Sequence, residues 1–388
     1  MAKLRKSPNP TSIVSLCYMN KSKLILVAPL NLGIGHAARC TPIINALIAQ
    51  GHTPILASDG CALAFLRKEF PKLAWFELPS YNIHLHEKER NHKQKIVWDS
   101  PRILKAITKE KRATKKLSKA LQLDGIISDT RLGVYDKNIP CVLMTHQLNV
   151  LAGNTNWFTS KIYRTIIKKF TECWIPDTNE KPNLSGKLGH SKSVNLPIKY
   201  IGILSRLEKV TTVTTYDLMV LLSGSEPQRS HLETKILQEL KLFSGRVMFV
   251  RGVPEPIQKS KTLITEKAII NYYNFMKSKE LQKVLNESKI VLSQPGYTTL
   301  LDLTKLEKKT YFIPTPGQYE QKYLAKRLEK NGLVPYSKQD NFRIKDLSRV
   351  DYFSGLRNGS PKIDYEALFL VFSNVNENSE PTPSTLST

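Results

Sequence analysis

The sequence predicts an α/β protein of two doubly wound, Rossmann-like domains facing a cleft, and three observations predict it. Short apolar runs alternate with longer amphipathic stretches along most of the chain. The alternation pauses near residues 204–212 and then restarts, giving two series of similar length. The 388 residues suffice for about two domains with cores of their own, at roughly 100–200 residues each.

In the first series "KLILVAP" reads as a buried strand, Ala37 to Gln50 as a helix, "TPILAS" as a strand and Ala62 to Phe70 as a helix. "LAWFELP", a long basic helical region, "GIISD" and "IPCVLMTH" follow. Strands that alternate with helices pair in parallel, in a sheet covered on both faces. The second series runs through "DLMVLLSGSEPQR", a helix from Ser230 to Leu242, "RVMFVRG", "AIINYY", a helix from Glu280 to Glu287, "KIVLSQPG", a helix from Tyr297 and "KTYFIPTP". The limits so drawn are 1–22 for an N-terminal extension, 23–205 for the first domain, 206–373 for the second and 374–388 for a polar, disordered tail. Met19 precedes the first strand, so residues 1–18 read as an extension or an upstream start. "DYEALFLVF" reads as a terminal helix packed across the domain junction.

A hydrophobic content of 41% with 8% aromatics fits an ordinary soluble protein. The charge does not: 58 Lys+Arg against 33 Asp+Glu leave +25, an excess that attracts polyanions or an anionic membrane surface. The five cysteines are scattered with no CxxC pair, which reads as reduced core thiols and no zinc site. No run approaches the ~18 apolar residues of a spanning helix, and the first twenty residues offer no apolar signal core. The expected location is cytoplasmic, with peripheral attachment to the inner face of the cell membrane.

The chemistry concentrates after the strands. In "LNLGIGHAARC" Gly33 and Gly35 permit positive φ and close backbone approach, and Ile43, Ile44, Leu47 and Ile48 give the next helix one apolar face. A helix amino terminus aims free N–H groups at whatever lies above it. Ala38 satisfies a GxGxxG/A fingerprint, whereas Pro42 is foreign to it. His36 is a titratable imidazole at the helix start; the stretch is compatible with a functional loop or with a turn and a capping histidine. In "VLLSGSEPQR", Ser223, Gly224 and Ser225 can hold a diphosphate with Arg229 or Arg206 as counter-charge, although an ordinary βα turn has the same composition. The densest signal is "LSQPGYTTLLDL" with "YFIPTPGQYEQKYLA". Gly296 opens a helix, Thr299 and Asp302 share one face, and a carboxylate so placed can accept both ribose hydroxyls. Gln318, Glu320 and Gln321 cluster after the next strand, as sugar hydroxyls require.

With these segments the chain resembles the GT-B glycosyltransferases of the MurG type, UDP-N-acetylglucosamine transferases with a family-28-like C-terminal domain. The resemblance covers Lys23 to Leu333. It rests on "GIGHAARCTPIINAL" with "QGH", "IPCVLMTHQLNVLAGNTN", "IGILSR", "LSGSEPQR", the G-x-x-T-x-x-E pattern, here ending in Asp302, and the Gln-rich loop. It implies that Gly33, Gly35 and His36 form the acceptor-side loop, with His36 the general base and His146 and Asp129 beside it. It further implies that Arg206, Gly224 and Ser225 contact the diphosphate, Thr299 and Asp302 the α-phosphate and ribose, and Gln318, Glu320 and Gln321 the sugar, with Gly296 giving close approach. Asp302 in place of the family glutamate, Glu320 in place of a glutamine and Pro227 in place of a glycine are departures. The implied reaction is inverting and metal-independent, needs no cofactor, and passes a hexose such as N-acetylglucosamine from a UDP-sugar to a hydroxyl, including one on a lipid-linked acceptor. The sequence contains no D-x-D pair.

Asp129 and Arg131, in "IISDTRLG", also suit a salt-bridged turn. Between Lys88 and Lys119 twelve Lys/Arg face three acidic residues, interleaved with apolar positions, and "NWFTSKIYRTIIKKF" is again basic and amphipathic; both suit a membrane interface or a solvated helix face. His84, His86 and His92 have no fourth ligand or helical spacing and read as a solvated loop. A UDP-sugar 2-epimerase, a nucleotide-sugar hydrolase or a non-catalytic UDP-sugar-binding protein would share the architecture. No recognisable nucleic-acid module is present, so no specific nucleic acid is expected.

Overall fold

Each apolar run becomes a strand of a largely parallel sheet in the computed structural model, which describes residues 22–81, 92–149, 165–190, 197–224, 226–253, 255 and 257–373. Ser225, His84, His86, the residues before 22, most of "NWFTSKIYRTIIKKF" and the tail after 373 lie outside the described residues, and the side chain of His92 does too. The first sheet has the order β3-β2-β1-β4-β5-β6-β7, with β1 Leu24–Pro29, β2 Thr53–Ser58, β3 Trp75–Glu77, β4 Gly125–Asp129, β5 Cys141–Met144, β6 Glu172–Ile175 and β7 Ile198–Tyr200. All its pairs are parallel. Along β1, Leu24, Leu26 and Ala28 enter one core while Ile25 and Val27 enter another. That alternation between two dry faces is why the strand reads as an unbroken apolar run.

Helices α1 Gly35–Ala49, α2 Gly60–Glu69 and α3 His92–Leu121 cross between these strands. In α1, Ile43, Ile44 and Leu47 are buried, but Ile48 is 44% exposed and does not share their face. Position 48 lies one residue past Leu47, about 100° further around the helix. Pro42 sits inside α1 without ending it. On α3, Ile107, Glu110, Thr114, Leu117 and Leu121 turn inward at three-to-four-residue spacing.

The second sheet has the order β10-β11-β9-β8-β12-β13: β8 Tyr216–Leu221, β9 Gly245–Val250, β10 Ser260–Ile264, β11 Ala268–Tyr273, β12 Ser288–Ser293 and β13 Lys309–Phe312. Only β10 runs antiparallel to its neighbour, at the edge. Helices α4 Gln228–Glu239, α5 Ser278–Asn286, α6 Tyr297–Lys305 and α7 Tyr319–Lys330 cover it.

The chain then returns to the first sheet. Asp364 caps α8, Tyr365–Phe369, by accepting from Ala367 N at 3.0 Å. Leu368, Phe369 and Phe372 join the core that holds Ile25 and Trp174. A Cβ on Gly125 would collide with the Phe372 ring, so only glycine fits there. Residues 368–372 thus pack with the first domain, although the drawn limit of 373 put them with the second; their apolar faces are buried under Trp174 rather than on the second sheet.

In both sheets the strand order reverses at one place, where successive connections leave in opposite directions: between β1 and β4 in the first, and between β8 and β12 in the second. Crevices at the carboxyl ends of such strands are where open α/β sheets bind ligands.

Candidate active site at the domain interface

Register fixes what meets at the first reversal. Pro29 pairs with Asp129, and Asp129 pairs with Met144, so the ends of β1, β4 and β5 lie side by side. The β1 end leads to Gly33 and His36, β4 ends on Asp129, and β5 leads to Thr145 and His146. Gly33 adopts φ +76°, as its glycine implies. Gly35 does not have positive φ; it starts α1, and a Cβ there would stand 3.3 Å from Thr298 Oγ1 of the second domain. Its role is close approach.

Asp129 is fully buried. His36 Nδ1 lies 3.0 Å from its Oδ1, Arg39 Nε donates to Oδ2 at 2.6 Å, and Arg39 Nη2 donates to Oδ1. Thr130, at φ +62°, donates from its hydroxyl to Oδ1 at 3.0 Å. A β-branched residue in that region is a backbone outlier of the kind that clusters at functional sites. Burial alone would raise the Asp129 pKa, but the Arg39 guanidinium and His36 hold it well below the usual carboxylate range. His36 Nδ1 also lies 2.9 Å from Arg39 Nη2, but that nitrogen already donates to Oδ1, so the ionised carboxylate, which can only accept, selects the His36 tautomer with the proton on Nδ1. The His36 Nε2 makes no hydrogen bond to any described residue.

Arg39 Nη1 lies 2.9 Å from His146 Nδ1. A guanidinium cannot accept, so His146 Nδ1 is the lone pair, and Nε2–H donates to Glu320 Oε1 at 3.1 Å across the interface. Gln147 Nε2 donates to the other Glu320 oxygen. Burial and the Arg39 charge push the His146 pKa down. The ring stacks on Tyr297, with centroids 4.2 Å apart and planes 8° from parallel. Tyr297 in turn donates to the Pro176 carbonyl at 2.9 Å, and Thr298 Oγ1 to the Gly35 carbonyl at 3.0 Å. The amino end of α6 is therefore docked directly above the His36 loop.

At the second reversal the groups are of another kind. Gly224 has φ +96° with open space where a Cβ would stand. Gln294 ties the β12 end to this loop through Ser223 N and O, at 3.1 and 2.9 Å. Gly296 precedes the first residue of α6, and no side chain caps that helix. Thr299 is half-buried on the first turn. Asp302 is buried, and Ser205 Oγ donates to it at 2.6 Å; burial raises its pKa while Arg206 opposes the rise.

Arg206 Nη1 donates to Ser278 Oγ at 3.1 Å, its guanidinium stands 5.0 Å from the Phe65 ring, and its buried Nε has no partner among the described residues. Arg229, on the first turn of α4, pairs with Glu226 of the preceding loop. Gln321 accepts from Thr315 N at 2.8 Å, while Gln318 opens α7.

The structure thus brings Gly33, Gly35, His36, Asp129, His146 and Glu320 together, and sets Gly224, Gly296 and Thr299 at the facing reversal. Arg131 belongs to neither: it is buried between Asp59 at 2.6 Å and Glu110 at 2.5 Å, the salt-bridged turn expected of it. Arg39 is the residue that sequence reading missed. Its signal was the i, i+3 spacing that puts it on the face of His36.

Residues 220–350 match the glycosyltransferase family 28 C-terminal domain. A UDP-N-acetylglucosamine--N-acetylmuramyl-(pentapeptide) pyrophosphoryl-undecaprenol N-acetylglucosamine transferase from Buchnera aphidicola subsp. Schizaphis graminum is 25% identical over 252 residues, 60% of this chain and 66% of that protein. The protein of the same name from Listeria monocytogenes serotype 4b is 27% identical over 209 residues, 53% of this chain and 56% of that one. The chain therefore spans between about half and just under two thirds of these relatives' length. Among solved structures, Acinetobacter baumannii MurG superposes with a TM-score of 0.51 at 12% identity, covering 91% of this chain and 99% of that one. Phytolacca americana UGT2, solved with UDP-2fluoro-glucose and pterostilbene, gives 0.57 at 14%, covering 85% and 89%. Such likenesses establish the two-domain fold. The domain match and the relatives add a likeness to the MurG-type GT-B glycosyltransferases, with residues 220–350 as the part that a family model matches.

Proposed function

We propose that this protein transfers a hexose, N-acetylglucosamine in the first instance, from a UDP-sugar to the hydroxyl of a lipid-linked acceptor, with inversion and without a metal ion. The observation that carries the proposal is the His36–Asp129 contact at 3.0 Å, with the His36 Nε2 bonded to no described residue and the uncapped α6 docked on the His36 loop. His36 Nε2 takes the acceptor O–H proton as that oxygen bonds to the anomeric carbon. The bond from that carbon to the β-phosphate oxygen breaks on the opposite face, and its electron pair leaves with UDP. The free N–H groups and partial positive charge of the α6 terminus, the Gly224 loop and Arg206 meet the diphosphate charge. Asp129 holds the tautomer and stabilises the imidazolium as it forms. The donor and acceptor classes come from the names of the relatives.

The outer face of α3 supports membrane docking. Lys105, Lys109, Lys111, Arg112, Lys115, Lys116 and Lys119 are exposed along it, and the one acidic residue among them, Glu110, is turned inward. Among the described residues no helix is long and apolar enough to cross a membrane. Anionic vesicles are expected to co-sediment the protein and neutral ones to leave it in solution; equal binding to both removes the docking claim.

The donor assignment is tested by a thermal-shift screen of UDP-, GDP- and TDP-sugars, since a ligand at 100 times its Kd adds about 2.7 kcal/mol. UDP-sugars are expected to stabilise the fold, and no shift with any nucleotide would remove the donor site. Transfer is expected to survive EDTA; a rate abolished by EDTA and restored by Mn would overturn metal independence. Free sugar or an epimer as the sole product would favour a hydrolase or epimerase.

A further inference from the structure

Arg39 is 2% exposed, lies on the buried side of α1, and makes polar contacts in two directions at once. Toward the first sheet it holds both Asp129 oxygens, and through Oδ1 it is joined to His36 Nδ1. Toward the second domain its Nη1 donates to His146, whose other nitrogen meets Glu320. Five side chains, from β4, the loop after β5, α1 and α7, thereby form one unbroken polar chain across the interface.

We infer that Arg39 is a positioning residue that joins the His36–Asp129 pair to the second-domain carboxylate Glu320 through His146, so that the base is aligned only while the two domains are closed. The inference deepens the transfer mechanism proposed above and rests on it for the role of His36. Three features support it beyond the distances. The planar fork of a guanidinium can hold Asp129 and His146 together; a lysine ammonium would have to reach both with one nitrogen. Buried ionic groups need every partner satisfied, and each Arg39 nitrogen has one. The charges also sum sensibly: with Arg39 cationic, Asp129 and Glu320 ionised and His146 neutral, the cluster around His36 carries one negative charge. A proton arriving on His36 makes it neutral. Cys40, whose thiol lies 3.7 Å from Asp129 Oδ2, stays protonated because burial and that carboxylate both push its pKa up.

The test compares wild type with Arg39→Lys, which keeps the charge, and with Arg39→Met. Three readouts are taken: UDP-induced thermal shift, kcat and KM for the UDP-sugar, and nitrogen-15 NMR of the two imidazoles. In wild type, His146 is expected to hold its single proton on Nε2 from about pH 6.5 to about pH 8, and His36 Nδ1 to be protonated toward Asp129. In Arg39→Lys the UDP shift is expected to persist, kcat to fall by about 10²-fold with KM nearly unchanged, and the His146 ring to lose its single tautomer. A wild-type kcat together with unchanged imidazole signals in Arg39→Lys would overturn the inference, as would a loss of UDP binding, which would make Arg39 a donor contact. Should wild type bind UDP-sugars but transfer nothing, the transfer reading fails, and the NMR comparison still decides whether Arg39 sets the two imidazoles. If Arg39→Met does not fold, Arg39→Lys carries the decision.

Discussion

The carboxyl ends of β1 and β4 in the first sheet and of β8 and β12 in the second occupy equivalent places, yet they are furnished differently. The first is filled with charged side chains that satisfy one another: Asp129, Arg39, His36 and His146. At the second stand Gly224, Gly296, an uncapped helix terminus and the half-buried Thr299. A proton acceptor needs fixed ionisable groups at short range, and a diphosphate needs backbone N–H groups and room. Under the proposed transfer, one fold used twice would supply a chemical half and a binding half, and the docking of α6 on the His36 loop holds the two reversals face to face.

The largest effect that would break this division is expected at His36. His36→Ala should lower transfer by about 10²- to 10⁴-fold while leaving UDP affinity as it is, measured by steady-state kinetics beside calorimetry. A rate near wild type would move the base to His146 or Asp129. Next comes Asp129→Ala, which leaves the Arg39 charge buried without its carboxylate and should cost about 3–5 kcal/mol in urea unfolding. A cost under about 1 kcal/mol would mean that the cluster is not the anchor it looks.

A substitution on the binding half should do the opposite of His36→Ala. Gly224→Ala meets no atom within 4 Å, but its φ of +96° strains a side chain by about 1–2 kcal/mol. The expected result is a donor affinity weakened by roughly tenfold with an intact pH profile of kcat; an altered profile would blur the division. The smallest effect is a pH slope. His146 has a lowered pKa in the folded protein, so below about pH 6.5 the unfolded chain binds a proton that the native one refuses. Stability should therefore fall as pH drops from about 6.5, and His146→Gln should flatten the slope in melts taken from about pH 7 to pH 5. An unchanged slope would assign it to another group, His52 first, since its pKa is also lowered by burial.

Legibility in the sequence followed the same division. Buried parallel strands announce themselves: "GIISD" is β4 residue for residue, because both faces of that strand are dry. The edge strand β10, "SKTLI", carries no such run, since its residues face water and it pairs on one side only. It went unread. Glycines of the binding half were legible because few other residues suit an open βα turn. Gly35 was legible as a residue but not in its reason, which lies in a helix more than two hundred positions away. Arg39 was hidden for a related cause: one basic residue in an apolar helix reads as a surface break until its partners from β4, β5 and the second domain are in place. Asp302 shows the converse. Its spacing suggested an open ribose contact, whereas Ser205 already donates to it in a buried setting.

The division of labour is tested most directly by measuring UDP-N-acetylglucosamine binding and its transfer to a lipid-linked hydroxyl side by side in wild type and His36→Ala. Equal dissociation constants with transfer reduced by at least about 10²-fold are the result expected of a proton acceptor that does not touch the nucleotide. Transfer preserved in the variant, or binding lost along with it, would contradict the assignment of chemistry to the first domain and donor binding to the second.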